Sequence, residues 1–235
     1  MTSAKFPKLL GVITAFAAIA LAGMMNNSRR VKAHDENDDE RDEARIERGL
    51  HIAPVNLQYD RDDRDLVGLG SYLVNAVVDC NGCHSAGPPT YFAPGGNPYQ
   101  RIPPFTGTEQ INTSTYLAGG RDFGPVGSVP HLYSRNLTPD NTGRPVGGRT
   151  FHEFVEIIRH GTDLDHIHPN CTGPGIPSNC FAPPFNGDLL QVMPWPTLKN
   201  MSEHDLRAIY EYLKAIPCNS GPVRPDAPYL LNTCN

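Results

Sequence analysis

Cys80-Asn81-Gly82-Cys83-His84 is the stretch from which the rest of the chain can be understood. Two cysteines three positions apart lie on one face of a helical turn, so both thiols can bond to the two vinyl groups of one porphyrin. The histidine that follows is then carried under the ring, where an imidazole nitrogen can bind iron. The motif therefore predicts one covalently attached haem c at Cys80 and Cys83, with His84 as an axial ligand.

Two other kinds of site also use a Cys-x-x-Cys pair. A zinc site needs a second pair of ligands at short spacing, and the sequence shows no such pair. A thioredoxin-type redox pair lies in a β-α-β pattern, which is also missing. The histidine directly after the second cysteine therefore favours haem attachment.

Residues 1–33 have the pattern of a targeting segment. Two lysines precede an uncharged, largely apolar run from Leu9 to Met25, and small-residue cleavage patterns end at Ala22 and at Ala33. We expect a signal peptide that is cleaved after residue 22 or 33. The alternative is an uncleaved membrane anchor, for which the apolar run is at the short limit. Both predict export to the periplasm, and the anchor would also associate the chain with the membrane.

Charge and composition limit the class of protein. The formal net charge of −5 gives no support for nucleic-acid binding. With 22 glycines and 23 prolines, much of the chain must be loop. Residues 34–65 are predicted to be an acidic, mobile arm followed by an extended lead-in, and residues 218–235 a C-terminal tail.

A helix is predicted from Leu66 to Val78, directly before the cysteine motif, because apolar residues recur there at three- and four-residue spacing. Its Gly68 and Gly70 are poor helix formers and are expected where another helix approaches closely. We expect that other helix to be the last one in the chain, which begins at Ser202, carries an apolar stripe and ends before Pro217.

A third helix is predicted from Thr150 to His160. Thr150 and Glu153 form a capping box at its start, and Gly161 ends it. Short β-like pieces are predicted within residues 110–135, and the remaining segments are predicted to be loops.

The iron needs a second axial ligand opposite His84, and methionine is the usual choice where a high reduction potential is required. Met193 is the candidate, because Pro194 and Pro196 stiffen the loop Met193-Pro194-Trp195-Pro196. Met201 is the second choice, although a position directly before a helix cap also suits a packing residue.

Three further contacts are expected around the haem. Trp195 is predicted to cover the haem edge and to donate its N–H to a propionate. Asn136 is a second candidate propionate contact, although its place in an Asn-Leu-Thr-Pro-Asp turn also explains it. A main-chain carbonyl near Pro88 and Pro89 is expected to accept the second ring N–H of His84.

Four cysteines remain: Cys171, Cys180, Cys218 and Cys234. They allow three pairings, and in an oxidising compartment the local pairs, Cys171 with Cys180 and Cys218 with Cys234, are favoured. Free thiols are the alternative.

The chain resembles a monohaem class I cytochrome c in its Cys80–His84 motif, its Met193–Trp195 loop and its final helix. The stretches 135–140, 151–154 and 193–217 are similar to the haem domains of cytochrome subunits from periplasmic alcohol and gluconate dehydrogenases. This resemblance implies a mainly α, cytochrome c-like helical domain over residues 66–217, with long Gly/Pro-rich loops and His84 and Met193 as iron ligands. Those subunits carry three haem domains, whereas this chain has one C-x-x-C-H motif.

We therefore expect an exported, single-haem electron carrier rather than an enzyme. Its partners would be redox proteins: a dehydrogenase, an oxidase or another cytochrome. One alternative is a dedicated electron-accepting subunit of a dehydrogenase or respiratory complex. Another is a haem enzyme or gas sensor with an open sixth site, which requires that Met193 does not bind iron.

Overall fold

The computed structural model describes residues 41–100 and 109–234, apart from the side chain of Pro88. The targeting segment predicted for residues 1–33 lies outside the described residues, as does the first part of the acidic arm. The chain divides into two units at Ala44, and the unit that begins at Arg45 contains every feature discussed below. No helix of the described part combines the length and the apolar character needed to cross a membrane.

This unit has the mainly helical, cytochrome c-like architecture that was predicted. In chain order its helices are α1 (of which residues 45–52 belong to this unit), α2 (Arg64–Tyr72), α3 (Cys80–His84), α4 (Pro88–Tyr91), α5 (Pro145–Gly148), α6 (Phe151–His160), α7 (Trp195–Leu198) and α8 (Glu203–Ala215). Short 3₁₀ turns lie at Arg61–Asp63 and Pro228–Leu230, and a π-helical segment lies at Leu73–Val78.

Helix α1 occupies part of the segment that was predicted to be a mobile arm and an extended lead-in. Ile46 and Leu50, four residues apart, pack against Leu69 of α2, and Ile46 is buried. The backbones also touch, because a Cβ on Gly49 would overlap the carbonyl oxygen of Gly68. The apolar face of α1 is narrow. The charged residues beside this face obscure its helical periodicity in the sequence.

Helix α2 packs against α8 at Gly70, as predicted. A Cβ at this position would overlap the carbonyl oxygen of Ala208, so the two backbones are in direct contact. Gly68 has a different neighbour, because a Cβ there would lie 2.7 Å from the side chain of Ile46 in α1. Gly70 therefore allows the close approach of α8, and Gly68 allows the close approach of α1.

The helix that precedes the cysteine motif does not continue as an α-helix to Val78. After Tyr72 its turns widen into the π-helical segment, which ends at Asp79 in the left-handed region with φ 53°. The Asp79 carboxylate then accepts a hydrogen bond from the Gly82 N–H at 3.1 Å. The left-handed backbone at Asp79 and its hydrogen bond to Gly82 make α3 a separate, capped helical turn. π-Helical segments are frequent beside functional sites.

The ends of α6 and α8 agree with the predicted caps. The Thr150 hydroxyl accepts a hydrogen bond from the Glu153 N–H at 3.3 Å, while the Glu153 carboxylate accepts one from the Thr150 N–H at 2.8 Å. Gly161 ends α6 at φ 70°. The Ser202 hydroxyl caps α8 by accepting a hydrogen bond from the Asp205 N–H at 3.0 Å.

The β-like pieces predicted for residues 110–135 take the form of isolated bridges, Asp122 with Tyr133 and Val126 with Val129, in the described part of the chain. Gly124 and Gly127 have positive φ values, which interrupt an extended backbone.

Both predicted local disulfides are present, Cys171–Cys180 and Cys218–Cys234. The second closes the segment that was expected to be a C-terminal tail. Leu230 in that segment is completely buried, and Asp226 accepts a hydrogen bond from the Tyr133 hydroxyl at 2.7 Å. Residues 218–234 are therefore part of the folded unit.

Candidate functional site

A cleft opens between α3, α6, α8 and the loops around Arg135 and Met193. Its larger part has a volume of about 490 Å³, and an adjoining part adds about 120 Å³. Cys80, His84, Arg135 and Met193 line both parts. We call the two parts together the central cleft.

The walls of the central cleft are largely apolar. Helices α6 and α8 supply Phe154, Ile157, Ile158, Leu206, Ile209 and Leu213. The other apolar lining residues are Val78 of the π-helical segment, Val146 of α5, Leu198 of α7 and Leu190 of a loop. A cavity of this volume with apolar walls and a few polar groups suits a large organic ligand.

Cys80 and Cys83 are the two cysteines that do not form disulfides. Cys80 lines both parts of the central cleft, and Cys83 lines the smaller part. Burial raises the pKa of the Cys80 thiol to about 12, and the nearby Asp79 carboxylate and Cys83 add to this increase. Cys80 is therefore a neutral thiol at neutral pH.

The His84 ring is held by a main-chain carbonyl, because its Nδ1 lies 2.8 Å from the Arg135 oxygen. Burial lowers the pKa of His84, although the hydrogen bond to Arg135 opposes the decrease. A neutral ring that donates through Nδ1 keeps a lone pair on Nε2, which is the tautomer that a metal requires.

The prediction that a carbonyl near Pro88 and Pro89 would hold His84 was wrong, since Arg135 has this role. The reason lies in Gly119, whose N–H donates to the His84 carbonyl at 2.7 Å. Gly119 also lies so close to Arg135 that a Cβ would be 2.6 Å from the Arg135 carbonyl carbon. This contact brings a segment distant in sequence alongside α3.

Met193 lines both parts of the central cleft, as His84 does. Met201, the second choice from the sequence, lines the larger part and also packs against the main hydrophobic core. Met193 packs against the same core, so the structure brings both methionines into the cleft that contains the histidine of the motif.

Trp195 has a different environment from the one predicted. Its Nε1–H donates to the Leu190 carbonyl oxygen at 3.2 Å, and its ring lies against Gly161 at the end of α6. A tight turn between residues 190 and 195 directs the indole back onto its own loop, so the N–H already has a protein acceptor.

Asn136 lines the central cleft, but its amide is bonded within the protein. Nδ2 donates to the Asn219 carbonyl at 2.9 Å, and Oδ1 accepts from the Thr138 N–H at 2.9 Å. The turn chemistry that was the alternative explanation therefore accounts for this side chain.

Sequence reasoning missed an ionic cluster at the edge of the central cleft. The Arg135 guanidinium binds the buried carboxylate of Asp163 at 3.0 and 3.1 Å and also binds Asp165, which bridges to Arg149. Tyr229 lies under the same guanidinium, with 5.1 Å between the Arg135 Cζ and the ring centre. The two acidic residues Asp163 and Asp165, two positions apart, could have indicated an ionic cluster from the sequence. Nothing in the sequence points to Tyr229.

The donor set fits haem c. Two free thiols lie on one short helix, the following imidazole has its Nδ1 already bonded, and a thioether shares the same apolar cleft. These are the groups that bind haem c covalently and axially.

Comparison with known proteins agrees with this chemistry. Over 150 residues the chain is 27% identical to "Alcohol dehydrogenase (quinone), cytochrome c subunit" of Gluconacetobacter polyoxogenes and of Komagataeibacter europaeus, covering 64% of this chain and 22% of each relative. Over 158 residues it is 28% identical to "Gluconate 2-dehydrogenase cytochrome c subunit" of Pantoea cypripedii, covering 66% of this chain and 24% of the relative. No protein-family model matches the chain.

The chain is similar to the haem domains of dehydrogenase cytochrome c subunits. It spans less than a quarter of the length of these curated relatives. Each of these relatives is named as the cytochrome c subunit of a dehydrogenase.

Proposed function

We propose that the chain is an exported, single-haem c-type cytochrome that accepts electrons one at a time from a dehydrogenase. The observation that carries the proposal is the central cleft, which Cys80, Cys83, His84 and Met193 all line. The names of the relatives, all cytochrome c subunits of dehydrogenases, favour a dehydrogenase as the electron donor.

Each of these residues has one role in the proposal. Cys80 and Cys83 would form the two thioether bonds, and His84 and Met193 would bind the iron. When bound, haem c supplies an iron that gains and loses one electron. The Arg135 carbonyl fixes the orientation of the His84 ring. The apolar walls keep water away, and a methionine ligand leaves no open position for a substrate.

Two disulfides support the periplasmic location, because such bonds persist in oxidising compartments. We further propose that residues 1–33 are the signal peptide or anchor that directs this export. The cytochrome domain of the proposal covers residues 66–217. We propose that the 218–234 segment belongs to it as well, because four of its residues line the central cleft.

The test is an absorption spectrum of the protein produced with a haem c maturation system, in the oxidised and reduced states. We expect low-spin haem with the weak sulfur-to-iron charge-transfer band in the wild type. Met193→Ala should lose this band, and Met201→Ala, the matched control from the same cleft, should keep it. A high-spin wild type that binds carbon monoxide readily would contradict the proposal and favour an enzyme or a gas sensor.

Purification under mild conditions identifies the kind of partnership. A dehydrogenase that remains with the cytochrome through size exclusion indicates a dedicated subunit. Rapid reduction by a dehydrogenase without a stable complex indicates a carrier that binds its partner transiently.

A further inference from the structure

The loop that carries Met193 is closed by three contacts among Trp195, Leu190 and Gly161. We call these contacts the indole clamp. The Leu190 N–H donates to the Gly161 carbonyl at 2.7 Å, and the Trp195 indole N–H donates to the Leu190 carbonyl at 3.2 Å. The ring of Trp195 covers Gly161 so closely that a Cβ at Gly161 would overlap it. Met193 therefore lies in a loop whose two ends, Leu190 and Trp195, are joined by these contacts.

The backbone between these points turns twice within five residues. The Met193 N–H donates to the Gln191 carbonyl at 2.8 Å, and the Trp195 N–H donates to the Met193 carbonyl at 2.9 Å. Each bond spans three residues, which is the pattern of a γ-turn. Met193 is the residue shared by both turns.

Val192 is at the centre of the first turn with φ 68°, a region that β-branched residues rarely adopt. The residue is 52% exposed, so its burial contributes little to holding the backbone there. A strained conformation persists only when its surroundings enforce it. The contacts on either side of Val192 must therefore hold the turn, and the indole clamp supplies the contacts that join its two sides.

We propose that Trp195 is a positioning residue: together with Gly161 it holds the Met193 thioether at a fixed place in the central cleft and so determines how firmly the sulfur binds iron. This inference rests on the proposed function, because it assumes that Met193 is the axial ligand. Without the indole clamp, the strained turn relaxes and the sulfur leaves the iron more often.

Imidazole added to the ferric protein measures this directly, because it takes the place of the sulfur and removes the charge-transfer band. Its apparent affinity increases with the fraction of molecules in which the loop is open. Trp195→Phe keeps an aromatic ring but loses the hydrogen bond to Leu190. We expect the apparent Kd of imidazole to fall by up to about tenfold, the equivalent of one hydrogen bond. The reduction potential should fall with it, since methionine ligation raises it.

The matched control for Trp195→Phe is Ser71→Ala. Ser71 also donates one hydrogen bond to a main-chain carbonyl, that of Gly49 at 2.7 Å, but it lies in α2 and does not line the central cleft. This variant should lose stability while the Kd of imidazole and the reduction potential stay at the wild-type values.

Gly161→Ala tests the ring contact instead of the hydrogen bond. Its control is Gly175→Ala, because Gly175 has nearly the same φ, 75° against 70°, with no atom within 4 Å of the added methyl group. We expect a lower Kd of imidazole for Gly161→Ala than for Gly175→Ala. Both variants carry the general cost of alanine at positive φ. The difference between their Kd values for imidazole therefore measures the effect of displacing Trp195.

The outcomes separate the two proposals. If Met193→Ala loses the charge-transfer band while both Trp195→Phe and Gly161→Ala bind imidazole as the wild type does, the positioning role is wrong and the proposed function stands. If the Kd of imidazole changes equally in Ser71→Ala and Trp195→Phe, the cause is general destabilisation, and the positioning role is wrong. If Met193→Ala keeps the band, both the ligand assignment and the positioning role are wrong.

Discussion

At the scale of single residues, the core behind α3 contains a closed ring of three hydrogen bonds. The Tyr116 hydroxyl donates to Asn75 Oδ1 at 2.5 Å, and Asn75 Nδ2 donates to the Tyr212 hydroxyl at 3.2 Å. Tyr212 completes the ring by donating to the Tyr116 oxygen at 2.7 Å. Burial raises the pKa of both phenols, so both remain neutral donors.

This closed ring predicts non-additive effects of substitution. Tyr116→Phe leaves Asn75 and Tyr212 each with an unmade hydrogen bond in the core, so we expect the free energy of unfolding to fall by about 1–3 kcal/mol. Tyr212→Phe should have a similar cost. The double variant should cost less than the sum, because each single substitution already removes the hydrogen bond between Tyr116 and Tyr212, and the sum counts the loss of that bond twice. Urea unfolding of the four proteins gives the coupling energy, and strictly additive values would contradict the closed ring.

At the scale of the helix, α6 begins with a capping box whose strength depends on charge. The Thr150 backbone N–H and hydroxyl both bond to the Glu153 carboxylate, at 2.8 Å each, and hold the pKa of Glu153 below its usual value of 4.5. Arg149 contributes to the same direction. The first turn of α6 is therefore stabilised by an ionised carboxylate.

The sign of the pH dependence follows from this lowered pKa. Because the folded pKa is lower than the unfolded one, the carboxylate stabilises the protein fully at neutral pH and loses this effect as the pH falls through the folded pKa. Glu153→Gln should lower the free energy of unfolding at neutral pH by less than about 1 kcal/mol, since the side chain is 39% exposed. Thermal unfolding between neutral and acid pH should show this difference shrinking. A difference that stays constant would assign the effect to packing instead of charge.

Helix starts could be predicted because their signals are local. Thr150 and Glu153 are three residues apart, and the Ser202 cap lies directly before its own helix. Helix α1 could not be predicted, because its helical state depends on contact with Gly68, which is distant in the sequence. The same holds for the hydrogen-bond acceptor of His84, because a main-chain carbonyl can belong to any residue.

At the scale of the whole molecule, the segment that follows α8 completes the central cleft. Tyr229 and Leu231 line it, and the Cys218–Cys234 disulfide ties the segment to the end of α8. The local pairing could be predicted from the spacing of the cysteines. The packing could not, because no pattern around Leu230 indicates that it is buried beside Tyr133.

Removing this disulfide should destabilise the whole unit. Loop-closure entropy predicts that Cys218→Ser/Cys234→Ser lowers the free energy of unfolding by about 3 kcal/mol. The control is Cys171→Ser/Cys180→Ser, which opens the shorter loop, with a sequence separation of 9 against 16, and should cost somewhat less. Urea unfolding of both variants beside the oxidised wild type measures the two losses. A negligible loss in the first variant would show that packing alone retains the segment.

A polypeptide emerges from the ribosome with its N-terminus first, and the place of Tyr229 in the cleft therefore fixes an order of biogenesis. Cys80, Cys83 and His84 emerge long before Tyr229 and Leu231. Until Tyr229 and Leu231 have emerged, the cleft lacks the wall that these two residues supply, and the motif can be reached from that side without any unfolding. The Cys218–Cys234 disulfide can form only after Cys234 has emerged, so this side of the cleft can be tied down only after the haem-attachment motif has been made.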